Sequence, residues 1–67
     1  MNEFGERLKE LRKEMGLGQI ALAQKLGVGK SVISLWETGA CEPTLSNLVK
    51  IATFFGVSID YLVGLED

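Results

Sequence analysis

Histidine is absent from these 67 residues, and cysteine occurs once, at Cys41. A lone thiol forms no internal disulfide, and this chain holds neither a cysteine-based zinc site nor an imidazole for acid–base work. Proline also occurs once, at Pro43, where Pro43-Thr44 opens a helix. No apolar run approaches the roughly 18 residues that a membrane-spanning helix needs. The first stretch, "MNEFGERLKELRKEMG", is charged throughout and lacks the apolar core of a secretory signal. A cytoplasmic location off the membrane is therefore the expectation. No nucleophile–base pair, phosphate loop or metal cluster can be assembled from the sequence, so neither an enzyme nor a cofactor or metal is expected. Positive charge is scarce as well: the formal net charge is -2 and the pI is near 5.0. Residues 1–16 and 17–44 each balance to zero, and the deficit lies in residues 45–67, where Lys50 faces Asp60, Glu66 and Asp67. An acidic total argues against broad adhesion to nucleic acid, though not against a local basic patch.

What is present suits a small folded unit. Hydrophobic residues make up 46% and charged residues 24% of the chain, a globular composition. A chain of this size buries only about 60% of its unfolded surface and, lacking staples, must depend on well-packed helices. A single domain covering residues 1–67 is expected, with no repeat, linker or low-complexity segment.

Helical periodicity runs along the chain, and strand alternation is nowhere sustained. Phe4, Leu8, Leu11 and Met15 form the stripe of a first helix, with Asn2 as its cap and Gly16 as its stop. Glu3–Arg7, Glu6–Lys9 and Glu10–Lys13 are spaced to pair along it. A second helix is expected from about Gln19 to Leu26, with Ile20, Leu22, Ala23 and Leu26 as its apolar residues and Gly27 after its end. A third spans about Lys30 to Thr38 and closes at Gly39. Thr44 caps a fourth, whose core stripe is Leu45, Leu48, Ile51, Ala52 and Phe55, with Gly56 ending it. Ser58 caps a last short helix carrying Ile59, Tyr61, Leu62 and Val63. The fold class is all-α, a bundle of five short helices.

The stretch "QKLGVGKSVISLWETG" carries the functional signal. Wound at about 100° per residue, residues 30–38 place Val32, Ile33 and Trp36 on one side. Ser31, Ser34, Leu35 and Thr38 fall on the other, with Lys30 at its edge. A purely structural surface helix would carry long charged side chains there; short ones let the backbone approach another molecule. Counted from Gln19 as the first of twenty places, apolar residues fall at the fourth, eighth, tenth, fifteenth and eighteenth, and Ala23 and Gly27 at the fifth and ninth. Small Ala23 permits a close crossing, and Gly27 permits a positive φ. This is the spacing of a helix-turn-helix, about residues 19–38.

With "RLKELRKEMGL", "GQIALAQKLGV", "ISLWETG", "EPTLSNLVKIA" and "GVSIDYLVGLED", the chain resembles the Cro/cI-type (XRE-like) helix-turn-helix family of phage and bacterial transcriptional regulators, over about residues 4–65. The resemblance implies a lambda-repressor-like fold whose third helix enters the major groove of double-stranded DNA while the second lies across the backbone. It implies that Gln19 contacts a phosphate and that Gly29, Lys30, Ser31, Ser34 and Leu35 surround the base edges. Lysine can donate to guanine, serine can bond either base type, and leucine can pack on a thymine methyl. It also implies an ion pair between Arg12 and Glu37 that locks the first helix to the third. Such a pair is worth about 3–5 kcal/mol against removal of one partner if buried and about 0.2–1 if exposed. Gly18 and Gly29 stand where many relatives carry a hydroxyl cap, and "TGACEP" stands where relatives carry basic residues. Weak caps and fewer phosphate contacts, hence a shallow salt dependence, are the expected consequences.

The expected function is a sequence-specific DNA-binding transcriptional regulator, a repressor acting as a homodimer through an apolar C-terminal surface of Tyr61, Val63 and Leu65. The alternative is a helix-turn-helix protein-interaction module, antitoxin-like or regulator-binding, with weak DNA binding. Trp36 reads as core and Cys41 as a small loop residue. The charges of the first helix read as a solvated face, with Arg7 and Lys13 open to phosphate contact.

Overall fold

The computed structural model describes residues 2–67, without the side chain of Asn2. Among these, the chain forms α1 (Asn2–Glu14), α2 (Gln19–Leu26), α3 (Val32–Thr38), α4 (Leu45–Phe55) and α5 (Ile59–Leu62), with no strand. The expected cap by the Asn2 side chain lies outside the described residues. Thr44 and Ser58 act as expected: their hydroxyls accept from Asn47 N at 3.2 Å and Tyr61 N at 2.9 Å.

α2 ends as its sequence dictates. Gly27 adopts φ 72°, its N–H donates to Gln24 O, and Val28 N donates to Ala23 O at 3.0 Å. This paired closure needs a left-handed residue, and only glycine takes that conformation without Cβ strain. The chain then reverses over Gly29–Val32, where Val32 N donates to Gly29 O at 3.1 Å. α3 therefore starts at Val32, two residues later than the periodicity predicts, and its cap position is Ser31, not Gly29. Ser31 itself is helical in φ and ψ and makes no side-chain cap bond.

One core joins all five helices. Phe4 and Leu8 of α1 meet Leu22, Ala23 and Leu26 of α2, Ile33 and Trp36 of α3, Leu48, Ile51 and Ala52 of α4, and Leu62 of α5. Each fully buried large apolar side chain contributes about 1.5–3 kcal/mol relative to leaving it in water. Two residues of the expected stripes are instead exposed, Met15 at 52% and Leu45 at 71%, as is Ile20, named among the apolar residues of the second helix, at 58%. Met15 follows the last residue of α1, whereas Ile20 and Leu45 lie in the first turns of α2 and α4. A stripe extended to a helix end overshoots the neighbour it packs against. Phe55 is only half-buried. Along α1 the Glu3–Arg7 pair closes at 3.9 Å, while Glu6–Lys9 and Glu10–Lys13 do not.

Candidate nucleic-acid interface

The inner side of α3 is fixed to α1 in three ways. The Phe4 and Trp36 rings meet edge to face, 6.3 Å between centroids at 70°, a favoured aromatic geometry. Gly5 lies directly against the end of α3: a Cβ there would sit 2.5 Å from Glu37 O and 2.8 Å from Trp36 O. Both are backbone atoms, so the crossing requires glycine. The third tie is the Arg12–Glu37 pair.

That pair is buried, with side-chain exposures of 10% and 4%. Arg12 Nε donates to Glu37 Oε2 at 2.6 Å and an Nη atom to Oε1 at 3.1 Å, a bidentate fork. The other Nη donates to Leu17 O at 2.9 Å, holding the α1–α2 connection. The hydrogen bond that Arg12 donates to Glu37 raises the Arg12 pKa above the ordinary arginine value, against the opposing effect of burial and with help from the carboxylate's charge. A raised cationic pKa adds stability that is fully present below the unfolded value and lost only above it. The arginine therefore stays charged throughout ordinary pH.

Glu37 also receives Gln19 Nε2 at 3.1 Å. Gln19, half-buried at the start of α2, is thus tied to α3 as well as placed at a helix terminus. The first bond of α2 runs from Leu22 N to Gly18 O at 3.0 Å, which leaves the Gln19, Ile20 and Ala21 N–H groups without a helical partner. Those groups and the helix dipole favour an anion.

The outer side of α3 and the turn that leads into it are differently built. Gly29, Lys30 and Ser31 are exposed, Leu35 is 39% exposed, and Ser34 is half-buried. Among the described residues no hydrogen bond engages the Lys30, Ser31 or Ser34 side chains, whereas Thr38 Oγ1 donates to Leu35 O at 3.3 Å. All six residues named from the sequence therefore lie on α2's first turn, the intervening turn or α3. Neither serine enters the hydrophobic interior.

Two residues escape sequence reasoning. Gly5 looks like an ordinary break in a charged helix. Arg7 looks like a surface charge, but it reaches 54 positions along the chain: an Nη donates to Tyr61 O at 2.7 Å and to Glu66 O at 2.5 Å. Its guanidinium lies 4.4 Å from the Tyr61 ring centroid. Arg7 is consequently occupied within the chain rather than open to a phosphate. Ser58 also bonds the Glu66 carboxylate. With Tyr61 and Val63 half-buried, Leu65, at 76% exposure, is what remains open of the apolar C-terminal surface.

A family model described as helix-turn-helix matches residues 8–62. The chain is 42% identical over 65 residues to the HTH-type transcriptional activator BcrR of Enterococcus faecalis, covering 97% of this chain and 32% of that protein. It spans about half the length of several further curated relatives. Among solved structures, the P22 c2 repressor in complex with a synthetic operator matches at TM-score 0.84 and 35% identity, over 92% of this chain and 94% of that one. The biofilm master regulator SinR in complex with DNA matches at TM-score 0.80 and 36% identity, over 90% and 97%.

Proposed function

From the premise that this chain belongs to the Cro/cI-type helix-turn-helix family, we propose that it binds a specific double-stranded DNA sequence and regulates transcription as a repressor. The observation that carries the reading is the pairing of a donor-bearing, uncommitted outer side of α3 with an inner side fixed to α1 by the buried Arg12–Glu37 pair. In this reading Lys30, Ser31, Ser34 and Leu35 meet base edges, and Gly29 lets the backbone come close. Gln19 and the open N–H groups of α2 hold a phosphate. Holding α3 in advance removes ordering cost at the moment of binding. The chain has in this reading no catalytic activity, cofactor or metal, and a cytoplasmic site of action. No helix among the described residues is long and apolar enough to cross a membrane.

A homodimer using the surface around Leu65 would read two half-sites one DNA turn apart and gain by avidity. Sedimentation showing a monomer at high micromolar concentration, with and without DNA, would remove the dimer. DNA binding itself is tested by selecting oligonucleotides from a random pool and following retention against salt. An enriched motif, with affinity falling linearly in log salt, supports it. No enrichment at low salt would sink it.

One observation favours a second reading, a protein-interaction module with weak DNA binding. The α3–α4 connection, "GACEPT", contains no cation, so phosphate contacts beside α3 are few. A folded chain retained by no duplex, yet bound by a protein from the same cell, would establish that reading instead.

A further inference from the structure

On the flank formed by α2 and α4 lies an open groove of about 470 Å³, lined by Lys25, Leu26, Val49, Lys50, Thr53 and Phe54. Its floor is apolar, and its two charged lining residues are both lysines. Val49 is 49% exposed, and Leu45, four residues earlier on α4, is 71% exposed. Leu45, Val49 and Thr53 thus form one stripe about 12 Å long, two turns of helix. Lys25 sits in the last turn of α2, where a cation suits that helix's own dipole. Lys50 sits exposed in the middle of α4. No ion pair involves either lysine among the described residues.

We infer that this groove docks an amphipathic helical segment of a partner protein, with apolar residues at i, i+4 and i+7 and acidic residues along its edges. The apolar anchors would cover Leu26, Val49 and Phe54, and the carboxylates would reach Lys25 and Lys50. A second copy of this chain fits poorly. A two-fold contact here would bring four lysines together, and the lining holds no carboxylate to offset them. DNA also fits poorly, because a phosphate gains nothing from the apolar floor. Lys25 stands about 9 Å along α2 from Gln19, at the opposite end of that helix. The groove and the outer side of α3 therefore share no lining residue.

The test is selection of helical peptides from a random phage-displayed library against the whole chain, followed by amide-shift mapping with the recovered peptides. The expected peptides are acidic and amphipathic, and they shift Leu26, Val49, Thr53 and Phe54. The variant Val49→Asp and the double variant Lys25→Glu, Lys50→Glu should each weaken them at least about tenfold. Val49 is exposed in the middle of α4, so Val49→Asp should leave the unfolding temperature and the binding of any independently recovered duplex near the parent's. The double variant should melt up to several degrees lower through the reversed charge at the end of α2. The inference is overturned if no peptide is enriched, if the peptides are neutral or basic, or if they map elsewhere. Self-association that Val49→Asp abolishes, or duplex DNA shifting these same amides, would equally assign the groove to another occupant.

Discussion

The two sides of α3 are built by opposite rules. The inner side commits its polar groups: Glu37 accepts from Arg12 and Gln19, and Trp36 packs on Phe4. The outer side and the turn before it commit almost none, leaving the Lys30, Ser31 and Ser34 side chains without hydrogen-bond partners among the described residues. A helix of seven residues is too short to be stable by propensity alone, so its rigidity comes from the inner side. The contrast separates stability from recognition within one turn of helix, and mutations should separate along the same line.

The largest effect should come from the inner side. Glu37→Ala leaves the Arg12 guanidinium buried without its counter-charge, which costs about 3–5 kcal/mol. For a domain this small that lowers the unfolding temperature by tens of degrees, as a thermal melt would record. A loss under about 1 kcal/mol would mean that the pair behaves as a solvated one. Gly5→Ala comes next. Its methyl would meet two backbone carbonyls, and overpacking of this kind costs about 1–3 kcal/mol. It should also weaken DNA binding, because the end of α3 must shift; unchanged stability would show that α1 can move away freely.

On the outer side the double variant Lys30→Ala, Ser34→Ala should behave in reverse. Stability should stay within about 0.5 kcal/mol of the parent, while affinity for a selected duplex falls about 10- to 100-fold. Equal losses in both measurements would erase the distinction between the two sides. The smallest effect belongs to the cap of α2. Gly18 has φ -76° and ψ 168°, a Cβ added to it would meet open space, and α2 lacks a side-chain cap bond. Gly18→Ser should stabilise the chain by a few tenths of a kcal/mol, readable as a small rise in the melting midpoint.

How far the sequence anticipates this division depends on the range of each interaction. α2 is legible to its ends, because Gly27 and the apolar spacing are local signals. The caps at Thr44 and Ser58 are equally local. Periodicity misses the start of α3 by two residues, since Gly29–Val32 closes a turn of its own before the helix proper. It misplaces Met15 and Leu45 because it says which face is apolar and not where the opposing helix stops. Gly5 and Arg7 are invisible for a related reason. One answers a backbone more than thirty positions away and the other a segment near the end of the sequence, and neither distance leaves a pattern in the residues around them. The Arg12–Glu37 pair is anticipated through family resemblance. Its link to Gln19 is not, although it couples the proposed phosphate contact to the same carboxylate.

Amide-shift mapping of the chain with a duplex recovered from the random pool tests the division of α3 most directly. The predicted result is a continuous set of shifts at Gln19–Ala21 and Gly29–Leu35, with the indole N–H of Trp36 and the amide of Leu62 nearly still. Shifts confined to α4 and α5, with Ser31 and Ser34 unmoved, would contradict it.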